Sequence, residues 1–273
     1  MMRLQQVGAR HGSQWVRQGF RVFVKHPMGF AGLFATFLLV VFVLSLLPLV
    51  GLPLLLVLLP VGSLGFMVAT RSALDGRFPQ PRAFMEPLRT SLPQRLALIK
   101  LGLIYAVATW LILTLSNWYD GGALDALMQA QASRTSTPED IAAKVADPRL
   151  QQGLLLRFGL LALLSVPFWH APALVHWGAQ PAGKSLFFST VAFWRNKGAF
   201  FLYGLTWLGV FMVFSVGANL LFALLGGGQF VTLLAMPVSM IFTTVFYASL
   251  YFTFADCFAQ DDAPREPPAL ASS

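Results

Sequence analysis

The side chains best placed to do chemistry lie in one stretch, Pro167-Phe168-Trp169-His170-Ala171-Pro172-Ala173-Leu174-Val175-His176-Trp177. Two prolines break a helix here, each by removing an amide donor. His170 falls inside an apolar segment, and His176 falls near that segment's cytoplasmic edge. An ionisable group within a membrane is a functional candidate by default. His170 could respond to protons or hold a headgroup. Equally, a neutral His170 could donate to a carbonyl freed by the proline break and so lock the kink. The second reading is the stronger, because no acidic partner occurs in any span centre. The histidines are six residues apart, about 240° around a helix, so they share no metal-binding face. No metal or cofactor is expected. Arg157, toward the outer end of the same segment, is suited to pair with an anion or to snorkel. The candidate ligand-binding set is therefore His170, His176, Trp169 and Arg157.

Other chemistry is sparse. No Gly-x-Ser-x-Gly elbow, His-Glu-x-x-His pair, Walker loop or Asp-rich cation motif occurs, so no catalytic residue is assigned and no enzymatic activity is expected. The single cysteine, Cys257, excludes an intrachain disulfide and a cysteine-based zinc cage. Asp256 beside it closes the last apolar segment and is expected to face cytoplasmic water. Gly62, Gly65 and Ala69 form a small-residue stripe suited to close helix contact, and Asn219 could hydrogen-bond across helices.

The elements that carry these residues follow from composition. Of 273 residues 56% are hydrophobic and only 11% charged, against about 25% charged in a soluble domain. Six apolar stretches are long enough to cross a bilayer: 29–47, 52–70, 96–116, 154–176, 199–225 and 230–255. Their continuity excludes the alternating strands of an outer-membrane barrel. The sequence predicts an all-α, polytopic bundle of six transmembrane helices. The second stretch contains Pro53 and Pro60, so a re-entrant hairpin over 29–70 is the alternative there. The first stretch reads as a retained anchor, because it outruns a signal-peptide core.

Charge sets the orientation. With six spans, only Arg134, Lys144, Arg149 and Arg157 of the 19 basic residues lie on the side away from the termini. The positive-inside rule then puts both ends in the cytoplasm. The net charge of +8 reflects this flanking, and no basic run interleaved with aromatics offers a nucleic-acid surface. The expected partners are the bilayer with its anionic cytoplasmic headgroups and, as a further candidate, another membrane protein.

Residues 1–28 form a cytoplasmic segment whose stretch Ser13–His26 reads as an amphipathic helix. Val16, Phe20, Phe23 and Val24 are expected on one face, with Arg17, Arg21 and Lys25 as a stripe beside them. Arg195 and Lys197 are expected to touch the membrane surface in the same way. The outer loop 117–153 should contain a helix starting at Thr137-Pro138-Glu139-Asp140, where Thr137 caps and the acids meet the dipole. Residues 256–273 read as a flexible cytoplasmic tail.

Aromatic-basic-breaker preludes precede the first hairpin (Phe20 to Phe30) and the last (Phe193 to Phe200). A looser version, Phe84, Leu88 and Leu92 with Arg89, precedes the middle one. Three parallel repeats of an interfacial helix plus a transmembrane hairpin are the expectation.

The runs Phe168-Trp169-His170-Ala171-Pro172-Ala173-Leu174-Val175, Lys184 to Ser189 and Phe193-Trp194-Arg195-Asn196-Lys197-Gly198-Ala199-Phe200 resemble a group of integral inner-membrane proteins of Gram-negative bacteria. The resemblance extends to the first hairpin from Gly19-Phe20-Arg21 onward. It implies the location and no particular activity. Two functions compete: a kinked bundle that binds or moves a lipid or amphipathic small molecule, and a non-catalytic scaffold for another membrane complex.

Overall fold

Long apolar runs can satisfy their amides in hydrocarbon only by coiling into helices, and the six apolar stretches do so among the described residues. A computed structural model describes residues 2–133, 137–225 and 228–260. Helix α1 (His11–Lys25) is followed by α2 (Pro27–Ser45) and α3 (Gly51–Leu74). Two short 3-10 turns, Pro81–Phe84 and Glu86–Arg89, lead into α4 (Leu92–Asp120). The outer loop holds α5 (Ala123–Ala132) and α6 (Pro138–Val145). Then come α7 (Pro148–Phe168), α8 (Ala171–Gly178), α9 (Ala182–Arg195), α10 (Lys197–Leu225) and α11 (Gly228–Cys257). Six segments among the described residues are long and apolar enough to cross a membrane: α2, α3, α4, α7 with α8, α10 and α11. The sixfold count and the all-α class are those read from the sequence. Pro60 lies inside α3 without ending it.

Helix α1 does more than lie on a surface. Gly12, Trp15, Val16, Gly19, Val22 and Phe23 form its buried stripe. A Cβ at Gly12 would collide with the Ala199 carbonyl and the Tyr203 amide, and one at Gly19 would sit 2.9 Å from the Val245 carbonyl. The two glycines let α1 press against the backbones of α10 and α11. The Trp15 indole Nε1 donates to Asp256 Oδ2 at 2.7 Å. Asp256 is thus a partner of α1 and not simply a solvated end group. Val24 departs from expectation: it is 71% exposed, because the buried stripe runs through Val22 and Phe23 instead. Arg17, Arg21 and Lys25 are exposed, as are Arg195 and Lys197.

The first and last described segments meet. Strand β1 (Met2–Leu4) pairs antiparallel with β2 (Phe258–Gln260), Leu4 opposite Phe258. The Gln5 amide extends the ladder by donating to the Cys257 carbonyl at 2.8 Å. Asn196, buried between α9 and α10, holds the following residues: its Oδ1 accepts from the Val7 amide at 2.8 Å and its Nδ2 donates to the Gln5 carbonyl at 3.1 Å. Residues 256–260 therefore belong to the folded body. The remainder of the expected tail, 261–273, and residues 226–227 lie outside the described residues, as do residues 134–136 of the outer loop.

The expected surface helix of the middle unit is absent. Pro81 and Pro87 each open a 3-10 turn, and Phe84 inserts edge-on against Phe66 (centroids 5.2 Å apart) into the notch left by Gly65. Gly65 thus admits an aromatic side chain where a helix–helix contact was expected. Asn219 Nδ2 donates to Ser215 O of its own helix at 2.7 Å and is exposed, and it makes no bond to a neighbouring helix among the described residues. The outer-loop helix forms as read: Thr137 Oγ1 accepts from the Asp140 amide at 3.2 Å, and the Asp140 carboxylate accepts from the Thr137 amide at 3.0 Å.

Candidate functional site

The fourth span breaks at residues 166–170. In an unbroken helix the His170 amide would donate to the Val166 carbonyl. Here the hydroxyl of Ser189, from α9, sits in that rung: it accepts from the His170 amide at 3.0 Å and donates to the Val166 carbonyl at 3.0 Å. Ser189, fully buried, therefore does the work that the sequence reading gave to the imidazole. A second helix restarts at Ala171, with Pro172 in its first turn where a missing amide costs nothing.

The imidazole turns elsewhere. Thr253 Oγ1 on α11 donates to the Leu250 carbonyl at 2.8 Å, which commits its one proton. Trp169 Nε1, a donor only, meets the same oxygen at 3.2 Å. His170 Nε2 lies 3.1 Å from it and completes its coordination as a second donor. This assigns the imidazole proton to Nε2 and leaves Nδ1 a buried acceptor without a partner. Phe200, Phe254 and Phe258 enclose the ring, with centroids 5.5–6.0 Å away.

Trp169 has a second face. Its ring helps line a cavity of ≈ 160 Å³ between α3, α4, α7 and α11, with Pro60, Ser63, Tyr105, Ser165 and Tyr247 among its walls. Pro60 and the 166–170 break stand on opposite sides of this space. A larger groove of ≈ 580 Å³ adjoins it between α10 and α11. Phe246 and Tyr247 line both, so the two form one continuous surface. Phe211, Phe214 and Phe242 make the far end of the groove apolar.

The other two candidates are not part of this site. Arg157 lies thirteen residues before His170, roughly 20 Å along the helix axis, and is buried against Asp120 at the end of α4, with Nη2 3.6 Å from Oδ2. It is thus neither free for a ligand nor snorkelling. Asp120 Oδ1 also accepts from the Gly122 amide at 2.8 Å, and Gly153 gives α7 room to approach it, since a Cβ there would sit 2.5 Å from Asp120 Cβ. His176 is half-buried beyond the break, within the electrostatic reach of Glu86 and Arg71. Its carbonyl accepts from Gln94 Nε2 at 2.9 Å. Only Trp169 and His170 of the four come together.

Ser189, Thr253, Tyr105 and Tyr247 were missed from sequence. One signal was available for Ser189: Ser185 and Ser189 recur at i, i+4 on the face of α9 that is otherwise small and apolar, and both are buried. Among the described residues no cluster of three or more His, Cys, Asp or Glu could hold a metal.

Six apolar helices around a core of aromatic and aliphatic side chains define an integral membrane protein of the polytopic α-helical class. The chain is 35% identical, over 271 residues covering 97% of it and 98% of the relative, to a protein of Burkholderia thailandensis named as a probable inner membrane protein. It belongs to that family of inner-membrane proteins. No family model matches the sequence, and no solved structure matches it.

Proposed function

We propose that this protein binds or moves a lipid or other amphipathic small molecule within the inner membrane. The observation that carries this reading is the cavity beside Trp169 and its continuity with the groove between α10 and α11. At ≈ 160 Å³ the cavity alone falls below the 300–1,000 Å³ that enclose a drug-sized ligand. It suits one end of a molecule whose chain runs along the groove. The hydroxyl side chains at the cavity, Tyr105 and Tyr247 with Ser63 and Ser165, offer polar contact. The phenylalanines of the groove accept hydrocarbon. That polarity gradient is the shape of an amphiphile. His170 acts through Trp169, because both hold Thr253 Oγ1. The excess of Arg and Lys on the side of the paired ends supports cytoplasmic termini.

Native mass spectrometry on protein released gently from its own membrane tests this reading. A defined extra mass is expected, and Ser165→Trp, which fills the cavity from a partly exposed position, should abolish it. A protein that carries only scattered annular lipid, with the same spectrum for Ser165→Trp, refutes the proposal. A second polypeptide in fixed ratio without a small-molecule adduct would favour the scaffold role.

A further inference from the structure

The connection from α3 to α4 builds a concavity of ≈ 310 Å³ on the side of the bundle where the chain ends pair, and three arginines line it: Arg77, Arg82 and Arg89. Ser72, Gln80 and Glu86 supply its other polar walls. Two features make this more than a solvated basic loop. First, the loop is held in place. Phe84 is wedged against Gly65 and Phe66, and Ala83 and Pro87 are buried. The Arg77 amide is tied to the Ser72 carbonyl at 2.9 Å after Gly76 turns the chain with φ of 75°. Second, two of the three charges are uncompensated. Arg77 is paired with Asp75 at 2.9 Å, whereas Arg82 and Arg89 have no hydrogen bond or ion pair among the described residues. Against them stands one carboxylate of the wall, Glu86.

Guanidinium groups carried on an anchored loop around a small polar concavity match the tetrahedral oxygens of a phosphate, which they bind through paired N–H donors. We infer that this concavity is a phosphate site, and that its occupant is the phosphodiester of an anionic phospholipid. The lipid is favoured over a free phosphate ester by the rim. Phe78 is 55% exposed at the mouth, and the adjoining Met85, Val24 and Met28 are exposed as well. His26 at the end of α1 packs edge-on to Phe78 (6.3 Å) and Gly29 abuts Pro79, which sets the α1–α2 corner beside the mouth. An anion bound here has apolar side chains within reach of its acyl chains. The site is separate from the cavity at Trp169 and does not rest on the function proposed for it.

The test compares binding of phosphatidylglycerol and diacylglycerol to the full-length protein in detergent by native mass spectrometry, with inorganic phosphate titrated calorimetrically in parallel. Phosphatidylglycerol should be retained in preference to diacylglycerol, which shares its chains and lacks the phosphate. Arg82→Gln/Arg89→Gln should weaken that retention about 25-fold, at about fivefold for each basic side chain near an anionic headgroup. The Arg82→Lys/Arg89→Lys variant should retain part of it. Ser165→Trp should leave it unchanged, which separates this site from the membrane cavity. Saturable binding of inorganic phosphate that depends on the same arginines, without preference between the lipids, would support the site with a free phosphate ester as its ligand. Equal retention of the two lipids together with no phosphate binding overturns the inference. So does a glutamine variant that binds like the wild type.

Discussion

Replacing Arg157 with leucine removes the cation from a carboxylate that is only 1% exposed. Asp120 would keep one hydrogen bond, from the Gly122 amide, and its second oxygen would face α7 with nothing to offset its charge. Breaking a buried ion pair from one side costs roughly 3–5 kcal/mol. The 3.6 Å separation exceeds hydrogen-bonding distance, which puts this pair near the lower figure, about 3 kcal/mol. Asp120→Leu/Arg157→Leu removes the stranded charge along with its partner. It loses mainly the turn bond to Gly122, about 1 kcal/mol. The double variant should therefore be more stable than Arg157→Leu alone. Thermal unfolding in one detergent, followed by tryptophan fluorescence, reads this directly. At ~2–4 °C per kcal/mol for a chain of this size, the single variant should melt about 6–12 °C below the wild type. The double variant should lie within about 4 °C of it by the same scaling. Additive losses, with the double variant the least stable, would refute the account of a buried, mutually dependent pair.

Two further outcomes follow from local geometry. Ser189→Ala removes the hydroxyl that bridges Val166 and His170, leaving a buried amide and carbonyl to re-pair or go unsatisfied, at about 1–3 kcal/mol; amide exchange at residues 166–170 should speed up, and unchanged protection would show that the hydroxyl does not hold the break. In the outer loop, the Thr137 amide and then its hydroxyl hold the Asp140 carboxyl below the usual aspartate range. A depressed folded value means that the stabilisation is fully present above the ordinary aspartate value and is lost as pH falls past the depressed one. Helix α6 should therefore fray in acid and not in base, seen as faster amide exchange over 138–145 after correction for the intrinsic rate. Loss of protection on raising the pH would contradict the cap.

Span count was legible because hydrocarbon leaves the backbone few choices, and runs such as 29–47 carry no charge to confuse the pattern. The Thr137 start was legible because capping is local. What escaped were partnerships across distant parts of the chain. Nothing near Asp120 in sequence announces Arg157 as its partner. Ser189 carries no sequence signal of its role at the break beyond its spacing from Ser185, and His170, the rarer residue, drew the structural role that the hydroxyl performs. Strand β1 is three residues whose partner is more than two hundred positions away. The middle prelude was misread for another reason: Phe84, Leu88 and Leu92 have helical spacing, but Pro81 and Pro87 favour short turns, and Phe84 gains more by filling the Gly65 notch.

The pairing of β1 with β2 has a consequence for how the protein is made. During synthesis at about 5–20 residues per second, β2 emerges roughly 250 residues after β1. For some 10–50 s at that rate the first strand waits with open amides and carbonyls while all six spans are inserted. The docking face for Trp15 is likewise incomplete until Asp256 has been translated. The closing of this fold is thus deferred until residues 258–260 have been translated, and a nascent chain that stalls before Phe258 would present an unpaired edge to whatever quality-control machinery surveys the membrane.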